Sequence, residues 1–269
     1  MEYLAGPYAP VADRALVTGG SSGIGRDISL LLAAAGVEVH ILGRRLERLE
    51  ETASMAVEGA TVVPHAADIR DPEQVEAAFT AAEAQGGPVP LLVNAAGGAF
   101  LAKAEDISPN GFATVVASSV SGPFNVLRRW ARPLLEAGEP GAAMLVTSAL
   151  AAREVPGAAH SSAAKAGLEA LIRSLAVEWG PRGLRVNALA PGAFETEGAT
   201  EGMWSDQNVR GAALDNIPMG RFGRPEELLG AAAFLVSRAA SYVTGATVVV
   251  DGGWHLSNHP FGDVFPTRR

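Results

Sequence analysis

Short apolar runs alternate with longer stretches in which apolar residues recur every three or four positions, and this alternation fills most of the chain. The runs Arg14–Thr18, Val37–Leu42, Thr61–Pro64, Leu91–Asn94, Ala143–Thr147, Arg185–Leu189 and Thr247–Val250 lack a strict polar–apolar alternation. That is the pattern of strands covered by helices on both faces. Between them Ile24, Ile28, Leu31, Leu32 and Ala35 fall on one face of a helix, and Leu168, Leu171, Ile172, Leu175 and Trp179 do so further on. Gly36, Gly59 and the Gly86-Gly87-Pro88 cluster act as stops. Strands alternating with helices predict βαβ units: a doubly wound, parallel α/β sheet of about seven strands with helices on both faces. Neither a linker nor an internal repeat divides residues 1–269, so a single domain is expected. Phe194 to Phe222 is polar and poor in β-branched residues, which reads as a substrate lid. The tail from Trp254 to Arg269 is also irregular, and its Trp254, Phe261 and Phe265 are expected to pack against another surface.

Composition narrows the function. The 269 residues are 48% hydrophobic and 19% charged, enough for one large globular domain. A formal net charge of -8, from 21 basic and 29 acidic residues, argues against a nucleic-acid surface, although a local basic pocket remains compatible with it. The absence of cysteine excludes disulfides, thiolate catalysis and cysteine-based zinc sites. No His/Asp/Glu cluster has metal-ligand spacing, so no metal is expected. Met1 to Asp13 lacks the charged-then-apolar order of a signal peptide, and no apolar run reaches the ~18 residues of a membrane span. These features lead to the expectation of a cytoplasmic enzyme with no membrane partner.

The first predicted strand runs into Thr18-Gly19-Gly20-Ser21-Ser22-Gly23-Ile24-Gly25 and then an amphipathic helix. Gly19 permits a tight turn, Gly23 lets backbone approach a pyrophosphate, and Gly25 allows close helix–strand packing. The helix N-terminus adds free N–H groups for phosphates. A dinucleotide site is therefore expected here, with Ser21, Ser22 and Ile24 among its contacts. The second strand ends in Gly43-Arg44-Arg45, without the acid that would hold a ribose 2′-hydroxyl. Arg44 and Arg45 suit a 2′-phosphate, which favours NADP(H) over NAD.

Further segments follow in order: Asp68-Ile69, Asn94-Ala95-Ala96-Gly97, Pro191-Gly192 with Thr196, Tyr242-Val243-Thr244-Gly245 and Asp251-Gly252-Gly253. With the glycine loop they resemble the short-chain dehydrogenase/reductase family from Ala15 to Gly253. The resemblance implies a Rossmann sheet, usually within a homotetramer. It places Asp68 and Ile69 at the adenine, and Asn94, Ala95, Ala96 and Gly97 along the cofactor. Pro191, Gly192, Phe194 and Thr196 would lie at the nicotinamide end, with Lys165 on the nicotinamide ribose. Ser148 stands at that family's usual serine. The family's usual tyrosine, four places before Lys165, is Ser161 here. Within the family, Ala159–Gly167, Leu175–Pro181, Ala190–Gly192 and Thr196–Gly198 are most similar to 2,4-dienoyl-CoA reductases of the peroxisomal type and their bacterial relatives, which also lack that tyrosine.

The resemblance implies NADPH-dependent hydride delivery to an enoyl or 2,4-dienoyl thioester, an oxyanion hole for the thioester oxygen, and a separate acid for the extended enolate. The candidate acid of the peroxisomal type corresponds to Ser119, the tyrosine of the mitochondrial type to Leu150, and an asparagine of both to Gly98 or Ala99. Each expected donor is absent. The candidate catalytic set is Lys165, Ser148, Ser161 and Ser119, where Ser148 and Ser161 are equally compatible with strand-end and N-cap roles. His160 is of a type suited to proton transfer, yet beside Ser161 it reads as a packing residue. Asn187 reads as a brace for the segment before Pro191. Arg128, Arg129 and Arg132 could meet the phosphates of a CoA thioester or form a solvated face. Two alternatives stay open: non-redox chemistry or nucleotide binding on this fold, and a ketone/alcohol oxidoreductase with a rewired proton relay.

Overall fold

The computed structural model describes residues 5–84, 86–98, 100–152, 155–196 and 204–257, apart from the side chains of Leu150 and Ala152. Seven parallel strands form one sheet in the order β3-β2-β1-β4-β5-β6-β7. They are β1 Arg14–Thr18, β2 Glu38–Gly43, β3 Val62–Ala66, β4 Leu91–Asn94, β5 Gly141–Val146, β6 Leu184–Pro191 and β7 Thr247–Val250. The crossovers carry α1 Gly23–Ala34, α2 Leu46–Ser54, α3 Pro72–Glu83, α4 Pro109–Val116, α5 Gly122–Ala137 and α6 Ala159–Trp179. After β6 come α7 Gln207–Asp215 and α8 Pro225–Leu235.

The apolar runs become strands because each has two helical layers to bury against. On one face Leu16, Leu42 and Leu92 meet Phe79 of α3, Trp130 of α5 and Leu168, Ile172 and Trp179 of α6. On the other, Val17, Val39, Ile41 and Val93 meet Ile28 and Leu32 of α1 and Leu228 and Leu235 of α8. The chain winds outward from β1 to β3, then returns to lay β4 on the opposite side of β1. The carboxyl ends of β1 and β4, where the order reverses, form the crevice in which such sheets take ligands. Thr18 pairs with Leu42 on one side and Asn94 on the other, so three strands finish at one level.

Several expectations need adjustment. β6 extends from Leu184 through Pro191, longer than its β-branched segment suggests, because it pairs on both sides. The sheet edges β3 and β7 are only half-buried, each having a neighbour on one side alone. The buried face of α1 is Gly25, Ile28, Ser29, Leu32 and Ala33; Leu31 is half-buried and Ala35 exposed. Small residues win the inner positions there because α1 lies close over the sheet. The presumed irregular stretch after Phe194 contains α7 and a core of its own: Trp204, Phe222 and Trp254 pack with Ala158, Ala193 and Ile217. Trp254 thus finds the surface expected for it, while Phe261 and Phe265 lie outside the described residues.

Candidate active site

The loop from β1 to α1 closes against β4 with no space for side chains. Gly19 has φ +72°, and its N–H donates to the Leu42 carbonyl at 2.8 Å. A Cβ at Gly19 would lie 2.8 Å from the backbone of Ala95 and Ala96, and one at Gly25 would lie 2.3 Å from the Gly19 carbonyl oxygen. The opposite holds at Gly23, where the nearest neighbour of an added Cβ is Thr196 at 3.8 Å. Ser22 precedes α1 without a side-chain cap, so the first N–H groups of the helix are not satisfied by that hydroxyl. A close-packed backbone with donors facing an open crevice fits a pyrophosphate.

The crevice is a cleft of about 520 Å³ lined by Gly19, Ser21, Ser22, Ile24 and Gly25 on the α1 side and by Ala95, Ala96 and Gly97 after β4. At one end stand Gly43, Arg44, Arg45, Asp68, Ile69 and Arg70. A Cβ at Gly43 would be 3.3 Å from Leu49 Cδ2 and 3.5 Å from the Ser21 hydroxyl. Arg44 and Arg45 are exposed. Arg70 donates from Nε to both oxygens of Asp68 at 3.0 Å. That ion pair, with Arg44 nearby, holds the Asp68 carboxyl below the usual carboxylate range. Ile69 is buried beneath Gly122, and its carbonyl accepts from Asn125 Nδ2 at 3.1 Å.

At the other end, Asn94 is fully buried and accepts from the Thr18 hydroxyl at 2.8 Å, fixing β4 to β1. Lys165 Nζ donates to the Val146 carbonyl at 3.1 Å and lies 3.5 Å from where a Cβ at Gly97 would be. Burial pushes its ammonium down to about 8, partly opposed by Glu169 one turn on. Glu169 in turn accepts from the Thr147 hydroxyl at 3.2 Å. Ser161 is buried one turn before Lys165, and Ser148 is half-buried just after β5. Ser119 is 2% exposed within Ala117–Ser121, a π-helical turn joining α4 to α5 and packed against α6. Such turns often mark functional positions. The Leu150 side chain and Ala99 lie outside the described residues, while Gly98 lines the cleft.

Other assigned residues fall elsewhere. Pro191 ends β6, and Gly192 donates to the Val250 carbonyl, so both hold the β6–β7 edge. Thr196 reaches the cleft, but the Phe194 ring is buried in the core against Gly223, beneath the segment it was expected to present. Asn187 binds the Val243 carbonyl and the Ala246 N–H, a brace between β6 and the approach to β7. Arg129 is held by Glu76 and Glu83, and Arg132 by Glu136, so two of the three arginines of α5 have acidic partners. The cleft also takes Arg70, Phe100, Thr114, Val115, Ser118 and Val146, which the sequence reading passed over. Arg70, two places after Asp68, carried a local signal; the α4 residues are brought in only by the fold. His160 is fully buried with its ring 4.3 Å from that of Phe100.

Ser21, Arg44, Arg45 and Gly43 line one end of the cleft, and Lys165 Nζ lies close to Gly97 at the other. Among the described residues no group of three or more acidic or histidine side chains could hold a metal ion, and no helix is long and apolar enough to cross a membrane.

A family model described as Enoyl-(Acyl carrier protein) reductase matches residues 19–255. The chain is 36% identical over 249 residues to a probable 2,4-dienoyl-CoA reductase of Bacillus subtilis (strain 168), covering 91% of this chain and 98% of that protein. It is 37% identical over 251 residues to the peroxisomal 2,4-dienoyl-CoA reductase of Danio rerio, covering 91% and 82%. Among solved structures, a gluconate 5-dehydrogenase from Burkholderia cenocepacia J2315 in complex with NADP and tartrate superposes with a TM-score of 0.86 at 31% identity, covering 94% and 98%.

Proposed function

The chain belongs to the short-chain dehydrogenase/reductase family and is an NAD(P)-dependent oxidoreductase, and from that premise we propose that it uses NADPH to reduce a conjugated carbonyl, an enoyl or 2,4-dienoyl thioester. The observation that carries this reading is Ser161, buried one turn before an intact Lys165. A ketone reductase must protonate an alkoxide, for which a serine hydroxyl at the tyrosine's place is too weak an acid. In a conjugated thioester the oxygen has only to be polarised during hydride transfer while the charge spreads along the chain, and a separate group protonates carbon afterwards. The relatives named as 2,4-dienoyl-CoA reductases support the same choice.

When bound, the reduced nicotinamide supplies the hydride. The chain's own groups do the rest. The N-terminus of α1 and Gly23 hold the pyrophosphate, Arg44 and Arg45 the 2′-phosphate, and Lys165 the nicotinamide ribose. Ser148, just after β5, and Ser161, one turn before Lys165, serve as donors to the thioester oxygen. The cluster of Trp204, Phe222 and Trp254 packs against Ala158 at the start of α6 and Ala193 after β6. A homotetramer located in the cytoplasm completes the proposal.

NADPH oxidation followed with a short 2,4-dienoyl-CoA and with a panel of ketones tests the reading. Turnover of the thioester alone is expected; oxidation by a ketone and not by the thioester would overturn it. The gluconate 5-dehydrogenase likeness favours that second outcome, a sugar ketone/alcohol oxidoreductase with a rewired relay.

A further inference from the structure

His160 is the first buried side chain of α6, 0% exposed, and among the described residues neither of its ring nitrogens has a hydrogen-bond partner. An imidazole always has at least one N–H and one further polar position, so burying both unpaired is costly. Native chains keep such a group when it has work to do. The ring does not lie in the centre of the sheet core. It packs behind Phe100, centroids 4.3 Å apart, and Phe100 is 43% exposed and lines the cleft together with Gly97 and Gly98. The segment carrying Phe100 is tied to the start of α6 by the Ala102 N–H donating to the Gly157 carbonyl at 3.0 Å. One phenyl ring therefore separates an unpaired imidazole from the cleft. The next residue is Ser161, at the position of the family's tyrosine.

We infer that His160 is the proton donor of the reaction, reaching the substrate when Phe100 turns aside as the cleft fills. This rests on the conjugated-thioester reading above. The bound reduced nicotinamide would supply hydride to the far end of the conjugated system, where a C–H bond forms and the displaced electron pair moves to the thioester oxygen. With Phe100 turned aside, His160 takes up a proton from solvent, and protonation then forms a second C–H bond as that N–H bond breaks. The electron pair returns from oxygen into the carbon chain, neutral imidazole is left, and solvent restores its proton. Ser119 and Ser161 offer only hydroxyls, and Lys165 is tied to the Val146 carbonyl on the cofactor side. Among the described side chains at this end of the cleft, His160 is the group of the right chemistry.

The full-length protein, His160→Phe and His160→Asn are compared in thermal melts, NADPH titrations and turnover of 2,4-hexadienoyl-CoA in H2O and D2O. Expected for His160→Phe is a higher Tm, since unpaired nitrogens are replaced by carbon, with NADPH affinity and the thioester KM within about twofold. Both variants are expected to lose about 100-fold or more in kcat, with a larger solvent isotope effect as protonation becomes limiting. Either variant keeping kcat within about threefold overturns the inference. So does a His160→Phe protein with a lower Tm, a raised KM and an unchanged isotope effect, the pattern of a structural residue. A wild type that reduces a ketone but not the thioester overturns the functional reading instead, and the same variants then judge His160 on the ketone. A wild type inert toward every acceptor overturns both.

Discussion

Replacing Gly25 with alanine tests whether the phosphate loop is as tightly determined as its geometry implies. The added Cβ would sit 2.3 Å from the Gly19 carbonyl oxygen, 2.7 Å from its carbon and 3.3 Å from Ala95 Cβ. Two of these neighbours are backbone, and the Gly19 N–H is anchored to Leu42, so no side chain can turn aside. Relief to ordinary contact requires α1 and the loop to part by about 1 Å. Overpacking of this kind costs about 1–3 kcal/mol, and displacement of a positioned ligand by about 1 Å can cost on the order of 100-fold in rate. In urea melts Gly25→Ala should lower the midpoint by that free energy divided by an unchanged m-value. In a fluorescence titration NADPH should bind about tenfold or more weakly. Gly98→Ala is the control, because nothing lies within 4 Å of its Cβ and its φ is not in the left-handed region. It should stay within about 0.5 kcal/mol of wild type. A Gly25→Ala protein with the wild-type midpoint and NADPH affinity would refute the reasoning.

Arg44→Ala/Arg45→Ala should lose about tenfold or more in NADPH affinity while NADH affinity changes little, measured by calorimetry; equal losses would sink the 2′-phosphate assignment. Lys165 has its folded-state value lowered from 10.5 to about 8, so the unfolded chain binds more protons between those values and this residue's contribution to stability improves as pH rises through that window. Lys165→Met should therefore be more stable than wild type at pH 7 and lose most of that advantage near pH 10, while NADPH oxidation collapses. His40 and His65 are both depressed, mainly by burial, and their rings meet at 2.9 Å with Glu38 accepting from the far side of His40. The folded state favours the neutral rings, so their stabilisation is present above about pH 6.5 and is lost as pH falls further. Denaturation midpoints between pH 7.5 and 5 should fall less steeply in a His40→Leu/His65→Val variant than in wild type.

The phosphate loop was legible because its chemistry is local: a turn, a backbone approach and a helix start within Thr18–Gly25 constrain one another. The arginine pair after β2 lines the cleft beside that loop. On α1, Ile28 and Leu32 are buried as expected and Ile24 packs beside them, while Gly25, Ser29 and Ala33 rather than Leu31 and Ala35 complete the buried face. Phe194 was assigned to the cofactor from its neighbours, but the absence of a side chain at Gly223 lets its ring drop into the core. The three arginines of α5 looked alike in sequence, and only the approach of α3 with Glu76 and Glu83 separates Arg129 from Arg128.

By itself the sequence determined the parallel doubly wound sheet, the crevice where a dinucleotide sits, and the missing tyrosine at Ser161. These follow from periodicity and from residue types within a few positions of each other, where chain connectivity already fixes the distances. Tertiary structure alone decided which side chains share the cleft. It brought Phe100, Val115 and Ser118 to the glycine loop, gave the stretch after Phe194 a core of its own, and buried His160 without a partner among the described residues. Burial and pairing depend on what packs from distant segments, and no local pattern encodes the polar group that a neighbour fails to supply.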